Sequence, residues 1–141
     1  MTVKVKNTSS NPLPTYQTIG ASGMDLFAAH DVTLELGRPV IVYTGLHIEL
    51  PQGYEAQIRP RSGLSTNGVY VAFGTVDADY RGEIGVIMTY LRLSENPRFQ
   101  IVKGQRIAQL VIAPVIQCQW VETSELTPTT RNHNGFGSTG L

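Results

Sequence analysis

The stretch Val40-Ile-Val-Tyr-Thr-Gly-Leu-His-Ile-Glu-Leu50, continued through Pro51-Gln-Gly53 into Tyr54-Glu-Ala-Gln-Ile-Arg59, decides the class of fold. In its second half Leu46, Ile48 and Leu50 alternate with His47 and Glu49, the period-two pattern of a strand with one buried face. Pro51-Gln-Gly53 is a turn signal, so the two halves read as a hairpin. Further strands are expected over residues 3–5, 69–72, 84–91, 99–102, 107–113 and 117–122. Fourteen Gly and eight Pro punctuate these short runs, and none carries a sustained helical period. A single helical turn around Ser62-Gly-Leu-Ser-Thr-Asn67 is the best helix candidate, too short to stand without tertiary support. An all-β domain follows.

At 141 residues the chain has room for one domain and no second lobe. Eleven basic against eleven acidic residues give zero formal charge, which argues against binding nucleic acid or a membrane surface. Charged residues make up only 16%, a low share that points to an oligomer with part of its surface covered. The lone Cys118 cannot form an internal disulfide and suits a reducing compartment, and no signal core or spanning stretch is present. A soluble intracellular (cytoplasmic) protein is expected. From Thr123 the chain loses core-forming residues and becomes a tail, so residues 1–122 are read as the β domain and 123–141 as a flexible, glycine-rich C-terminal segment.

Four segments combine Gly with hydroxyl, amide or Arg groups, the vocabulary of phosphate binding. Pro60-Arg61-Ser62-Gly63-Leu64-Ser65 offers a guanidinium fork, a hydroxyl and a backbone that can approach an anion. Lys103-Gly-Gln-Arg-Ile-Ala-Gln109 places Gln109 in an apolar strand, where its amide must bond backbone or a ligand. The tail carries Arg131 ahead of Gly135-Phe-Gly-Ser-Thr-Gly140, without the lysine and helix of a P-loop. Gly74-Thr-Val-Asp77-Ala-Asp79-Tyr-Arg-Gly82 holds two of four aspartates, which share a face if extended and split if a turn intervenes. A carboxylate here could serve as a general base. It could equally be an Asx-type turn, and two carboxylates alone make a poor metal cage. Eight Arg against three Lys favour bidentate recognition over diffuse charge.

Taken in order, these segments resemble the five motifs of the trimeric dUTP pyrophosphatases, the dUTPases. Ala21-Ser-Gly-Met-Asp25-Leu-Phe-Ala28 is similar to the first motif, residues 60–65 to the second, 74–82 to the third, Gly104-Gln-Arg-Ile-Ala-Gln-Leu110 to the fourth and 131–140 to the fifth. The resemblance implies a distorted jelly-roll β-barrel forming a homotrimer, with dUTP as ligand and sites at subunit boundaries closed by a neighbour's tail. It implies hydrolysis of dUTP to dUMP and pyrophosphate with Mg2+, which limits uracil in DNA and supplies dUMP for thymidylate synthesis. By the resemblance Asp77 deprotonates the attacking water and Tyr80 packs under the deoxyribose. Arg61, Ser62, Gly63 and Gln109 contact phosphates, Arg131 takes the γ-phosphate and Phe136 stacks on uracil. Gly137, Ser138 and Thr139 wrap the phosphates, and Asp25 supports the site. No residue ligates Mg2+ directly, because the ion rides on the substrate phosphates and water.

Base recognition is assigned by the resemblance to a hairpin over residues 69–76, where Val71, Gly74, Thr75 and Val76, with Gly85, form a slot read mainly by backbone groups. Here Val71 stands where many members have Asn, and Phe73 where small residues or Pro are usual. Ser65 and the pair Asn132 and Asn134 depart as well. A dCTP deaminase of the same fold is the rival enzyme, disfavoured by Ile84-Gly85 and the Phe136 tail. A non-catalytic nucleotide-binding jelly-roll module is the rival of another class, disfavoured by Asp77, Tyr80, Arg131 and Phe136 together.

Overall fold

The computed structural model describes residues 1–93 and 96–134. Its strands are β1 (Lys4–Asn7), β2 (Met24–Phe27), β3 (Val32–Glu35), β4 (Val40–Tyr43), β5 (Leu46–Glu49) and β6 (Tyr54–Arg59). The single turn α1 (Ser62–Ser65) precedes β7 (Val69–Val71), β8 (Gly74–Val76), β9 (Gly85–Tyr90), β10 (Arg98–Ile101) and β11 (Arg106–Pro114). The all-β expectation holds, and α1 falls where the helical turn was expected.

Two larger sheets, β2-β11-β6-β8 and β4-β9-β7, are accompanied by the strand pairs β1-β5 and β3-β10. Every ladder between these strands is antiparallel. Inward residues of both larger sheets meet in one core: Leu26, Ala56, Ile58, Val76 and Leu110 from the first, Val42, Val69, Val86 and Met88 from the second. Burying both inner faces is what stabilises a sandwich of short strands. The strands take the jelly-roll form, as separate sheets without a closed barrel.

The expected hairpin across residues 40–59 does not form. β4 pairs with β9, β5 with β1, and β6 with β11 and β8. Gly45 turns the chain between β4 and β5 at φ 75, and a Cβ there would lie 2.5 Å from that of Ser9. Alternation reports that a strand has a buried face, not which sheet it joins, so strands adjacent in sequence need not be partners.

The hairpin over residues 69–76 is corrected for the same reason. β7 belongs to the sheet of β9 and β8 to that of β6, with Ala72 and Phe73 crossing between them. Residues 117–122 form no strand either. The whole stretch 115–134 is exposed, with Ile116 and Trp120 at 94% and 95%, because no strand of this chain lies beside it. Among the described residues no helix is long and apolar enough to cross a membrane.

Candidate active site

β11 runs between β2 and β6, so Gln109 stands opposite both Asp25 and Arg59. Asp25 is largely sheltered, its side chain 13% exposed, and both of its oxygens are engaged: Oδ1 lies 3.0 Å from Arg61 Nε and Oδ2 lies 3.4 Å from Arg106 Nε. Arg61 Nη1 also donates to the Arg106 carbonyl at 3.3 Å. Because the carboxylate takes both guanidiniums by Nε, it fixes two planar forks side by side and leaves Nη donors for an anion. Arg106 was not singled out in the sequence, and a bulge explains why. The register of β11 against β2 slips between Arg106 and Ala108, which sets Arg106 opposite Phe27 and so on the face of Asp25. A regular ladder would have put Ile107 there.

Arg61 precedes α1 in extended conformation, and Ser62 and Gly63 are exposed at its first turn. The first amides of a helical turn lack intrahelical acceptors. Gln109 Nε2 donates to the Pro60 carbonyl at 3.2 Å, so in this chain the Gln109 amide holds the approach to Arg61.

The third-motif residues sit elsewhere. β8 is an edge strand, paired only with β6, so part of its backbone donors and acceptors faces away from the sheet. Asp77 follows β8, is exposed, and has no ion-pair partner among the described residues. The chain then turns: Tyr80 N–H donates to the Asp77 carbonyl at 3.1 Å, and Arg81 Nη1 clasps the Ala78 and Tyr80 carbonyls at 2.6 and 2.9 Å. Tyr80 is folded over Gly82, where a Cβ would collide with its hydroxyl, and that hydroxyl donates to the Glu83 carbonyl at 3.2 Å. Asp77 and Asp79 both line a concavity of about 480 Å³ together with Glu55.

Val71 is buried in the core and pairs with Met88, so its side chain is closed to a ligand. Gly85 lies under Ile41 and Tyr43, a Cβ there falling 2.6 Å from Ile41 Cγ2. Arg131 is exposed in a turn, with Nε donating to the Asn134 carbonyl at 3.0 Å. Phe136, Gly137, Ser138 and Thr139 lie outside the described residues. Among the described residues no group of three His, Cys, Asp or Glu side chains could hold a metal ion.

Two guanidinium forks, open amides at a helical start and an unengaged carboxylate on a β scaffold define a protein built for a phosphate-bearing ligand. The dUTPase family model matches residues 9–140. The deoxyuridine 5'-triphosphate nucleotidohydrolase of Beijerinckia indica is 54% identical over 91% of this chain and 82% of its own length. That of Rickettsia prowazekii is 50% identical over 98% and 94%. Among solved structures, a dUTPase variant of Staphylococcus bacteriophage 80alpha with dUpNHpp superposes with a TM-score of 0.91 at 26% identity, covering 99% of both chains. A dUTPase variant of phage phi11 of S. aureus, described with a structural Mg(II) ion, has a TM-score of 0.80 at 25% identity over 89% of this chain and 98% of that one. This chain belongs to the dUTPase family.

Proposed function

We propose that the protein hydrolyses dUTP to dUMP and pyrophosphate in a homotrimer whose sites combine residues of different copies. The observation that carries this reading is the contrast between two aspartates. Asp25 is committed to two arginines, whereas Asp77 is exposed and unpaired among the described residues. The first holds phosphate-binding forks in place, and the second is available to a water molecule.

In the proposed reaction Asp77 takes a proton from water as its oxygen bonds to the α-phosphorus. The bond from that phosphorus to the bridging oxygen breaks, and its electron pair leaves with pyrophosphate. Arg61, Arg106 and the amides of Ser62 and Gly63 bind the phosphate oxygens, and Tyr80 carries the deoxyribose. Arg131 and Phe136 arrive on a neighbour's tail, residues 123–141. Asp25 already holds two arginines, so this donor set fits a Mg2+ ion carried by the substrate phosphates. When bound, Mg2+ neutralises phosphate charge and helps fix in-line geometry.

The register supports a site shared between copies. Val76 stands opposite Ala56, and Asp77 and Glu55 line one concavity, so Asp77 marks the Glu55 end of β6. Arg61 lies beyond the other end, six residues on, which at strand rise is about 20 Å. That separation favours a substrate that takes the two side chains from different copies.

Pyrophosphate release from dUTP beside dCTP, dTTP and UTP, with Mg2+, tests the activity. Release from dUTP alone is expected. Ammonia from dCTP would instead support the deaminase, and no reaction at all would support the non-catalytic module.

A further inference from the structure

Around β8 burial alternates: Phe73, Thr75 and Asp77 are exposed, while Val76 is buried and Gly74 is half-buried against Ile58. In extended chain such alternation puts residues 73, 75 and 77 on one face. That face carries an aromatic ring, a hydroxyl and a carboxylate in a row. The ends are four residues apart, about 13 Å at strand rise, comparable with the reach of a nucleoside 5'-phosphate from its phosphorus to the far edge of its base.

Phe73 is also a fixed ring. On one side Ala72 N–H donates to the Ile87 carbonyl at 2.9 Å, next to the buried Val71. On the other, Gly74 is in register with Ile58, so close that a Cβ would fall 3.1 Å from its side chain. The backbone is held on both flanks, yet the ring itself is 58% exposed. A pinned, exposed aromatic at the end of a line that finishes in the catalytic carboxylate is placed to meet the base.

We infer that Phe73 is a specificity-determining residue of the site: it is the apolar end wall against which the pyrimidine packs, and its bulk refuses a base extended by a 5-methyl group. This rests on the dUTP reading above. With the α-phosphorus fixed at Asp77, the line along Thr75 sets how far the base can extend. Phe73 closes that line, and the unpaired edge of β8 reads the base's polar groups. The ring contributes apolar contact and shape, the backbone contributes hydrogen bonds, and neither touches the water attack.

The test is steady-state kinetics of full-length Phe73→Ala and Phe73→Leu with dUTP and dTTP, with assembly mass measured by light scattering. For Phe73→Ala the expected result is a KM for dUTP raised roughly three- to tenfold, the scale of one lost aromatic contact. Because one methyl group is worth about tenfold or more in selectivity, the ratio of kcat/KM for dTTP over dUTP should rise by that order. Meanwhile kcat for dUTP stays within about threefold, since the chemical groups are untouched. Phe73→Leu, keeping most of the bulk, should restore much of the selectivity. Unchanged KM and selectivity in an active Phe73→Ala would overturn the inference, as would loss of assembly mass in either variant, which would assign the ring to a contact between copies. Wild-type protein that leaves dUTP intact would sink the dUTP reading itself, a separate result.

Discussion

At the scale of single residues, the site turns on what each carboxylate already holds. Asp25 binds Arg61 and Arg106 through Nε at 3.0 and 3.4 Å, so it screens two like charges that would otherwise repel each other. Replacing it by Asn keeps the shape and removes the charge. With the arginine side chains 31% and 49% exposed, solvent screening discounts the loss to about 2 kcal/mol. That corresponds to a fall in Tm of about 5–10 °C. The freed guanidiniums should also raise KM for dUTP more than they lower kcat, because phosphate binding is loosened while Asp77 is untouched. Thermal melts and steady-state kinetics of Asp25→Asn check both, and an unchanged KM would mean that the two arginines are held by something else.

Among elements, the legible and the hidden divide by how far apart in sequence the deciding contacts lie. β6, β9 and β11 were readable because each carries its own alternation or apolar run between turn residues. The partners of β5 and β6 were not, since Leu46 to Glu49 chooses β1 through pairings such as Asn7 with Leu46, 39 positions away. Candidate site residues followed the same rule. Asp77, Tyr80, Arg61 and Gln109 were legible as candidates because each sits in a local motif. Arg106 was missed because a bulge, invisible to local pattern, re-aims it. Nor could sequence tell that Gln109 would spend its amide on Pro60, or that Val71 would be buried. The exposed segment after β11 carries its own prediction. Residues 116–134 are exposed and none lies in a strand, so deleting residues 131–141 should leave Tm within about 2 °C, as for any change remote from the core. The same truncation should lower kcat/KM by at least about a hundredfold, the loss of a positioned charge and closure. Calorimetry and turnover of the truncated protein check it. A stable protein with undiminished turnover would end the assignment of that segment as a lid.

For the whole molecule, the distribution of chemistry over one surface is the strongest physical case for an assembly. Ile41, Tyr43, Tyr70 and Ile87 are exposed on the outer face of β4-β9-β7, a sheet whose inner face is already in the core. Together with a charged content of 16%, this leaves apolar surface suited to contacts between copies. The proposed site points the same way, because Asp77 and Arg61 lie toward opposite ends of β6 and the proposed reaction uses both. It follows that two inactive variants can repair each other. Asp77→Asn alone should bind a non-hydrolysable dUTP analogue with nearly normal affinity and lose turnover by about 10²–10⁴-fold, the range for a general base. Arg61→Ala alone should lose phosphate binding. When the two are unfolded together and refolded as an equal mixture, some sites receive Asp77 from one variant and Arg61 from the other. If copies mix at random, about a quarter of the sites carry both intact groups, as the statistics of a closed heterologous ring require. Turnover should rise from near zero to about that fraction of wild type, with the mass of the assembly unchanged. If every mixture stays as inactive as its parents, each site takes Asp77 and Arg61 from the same chain, and the distance argument along β6 fails with it.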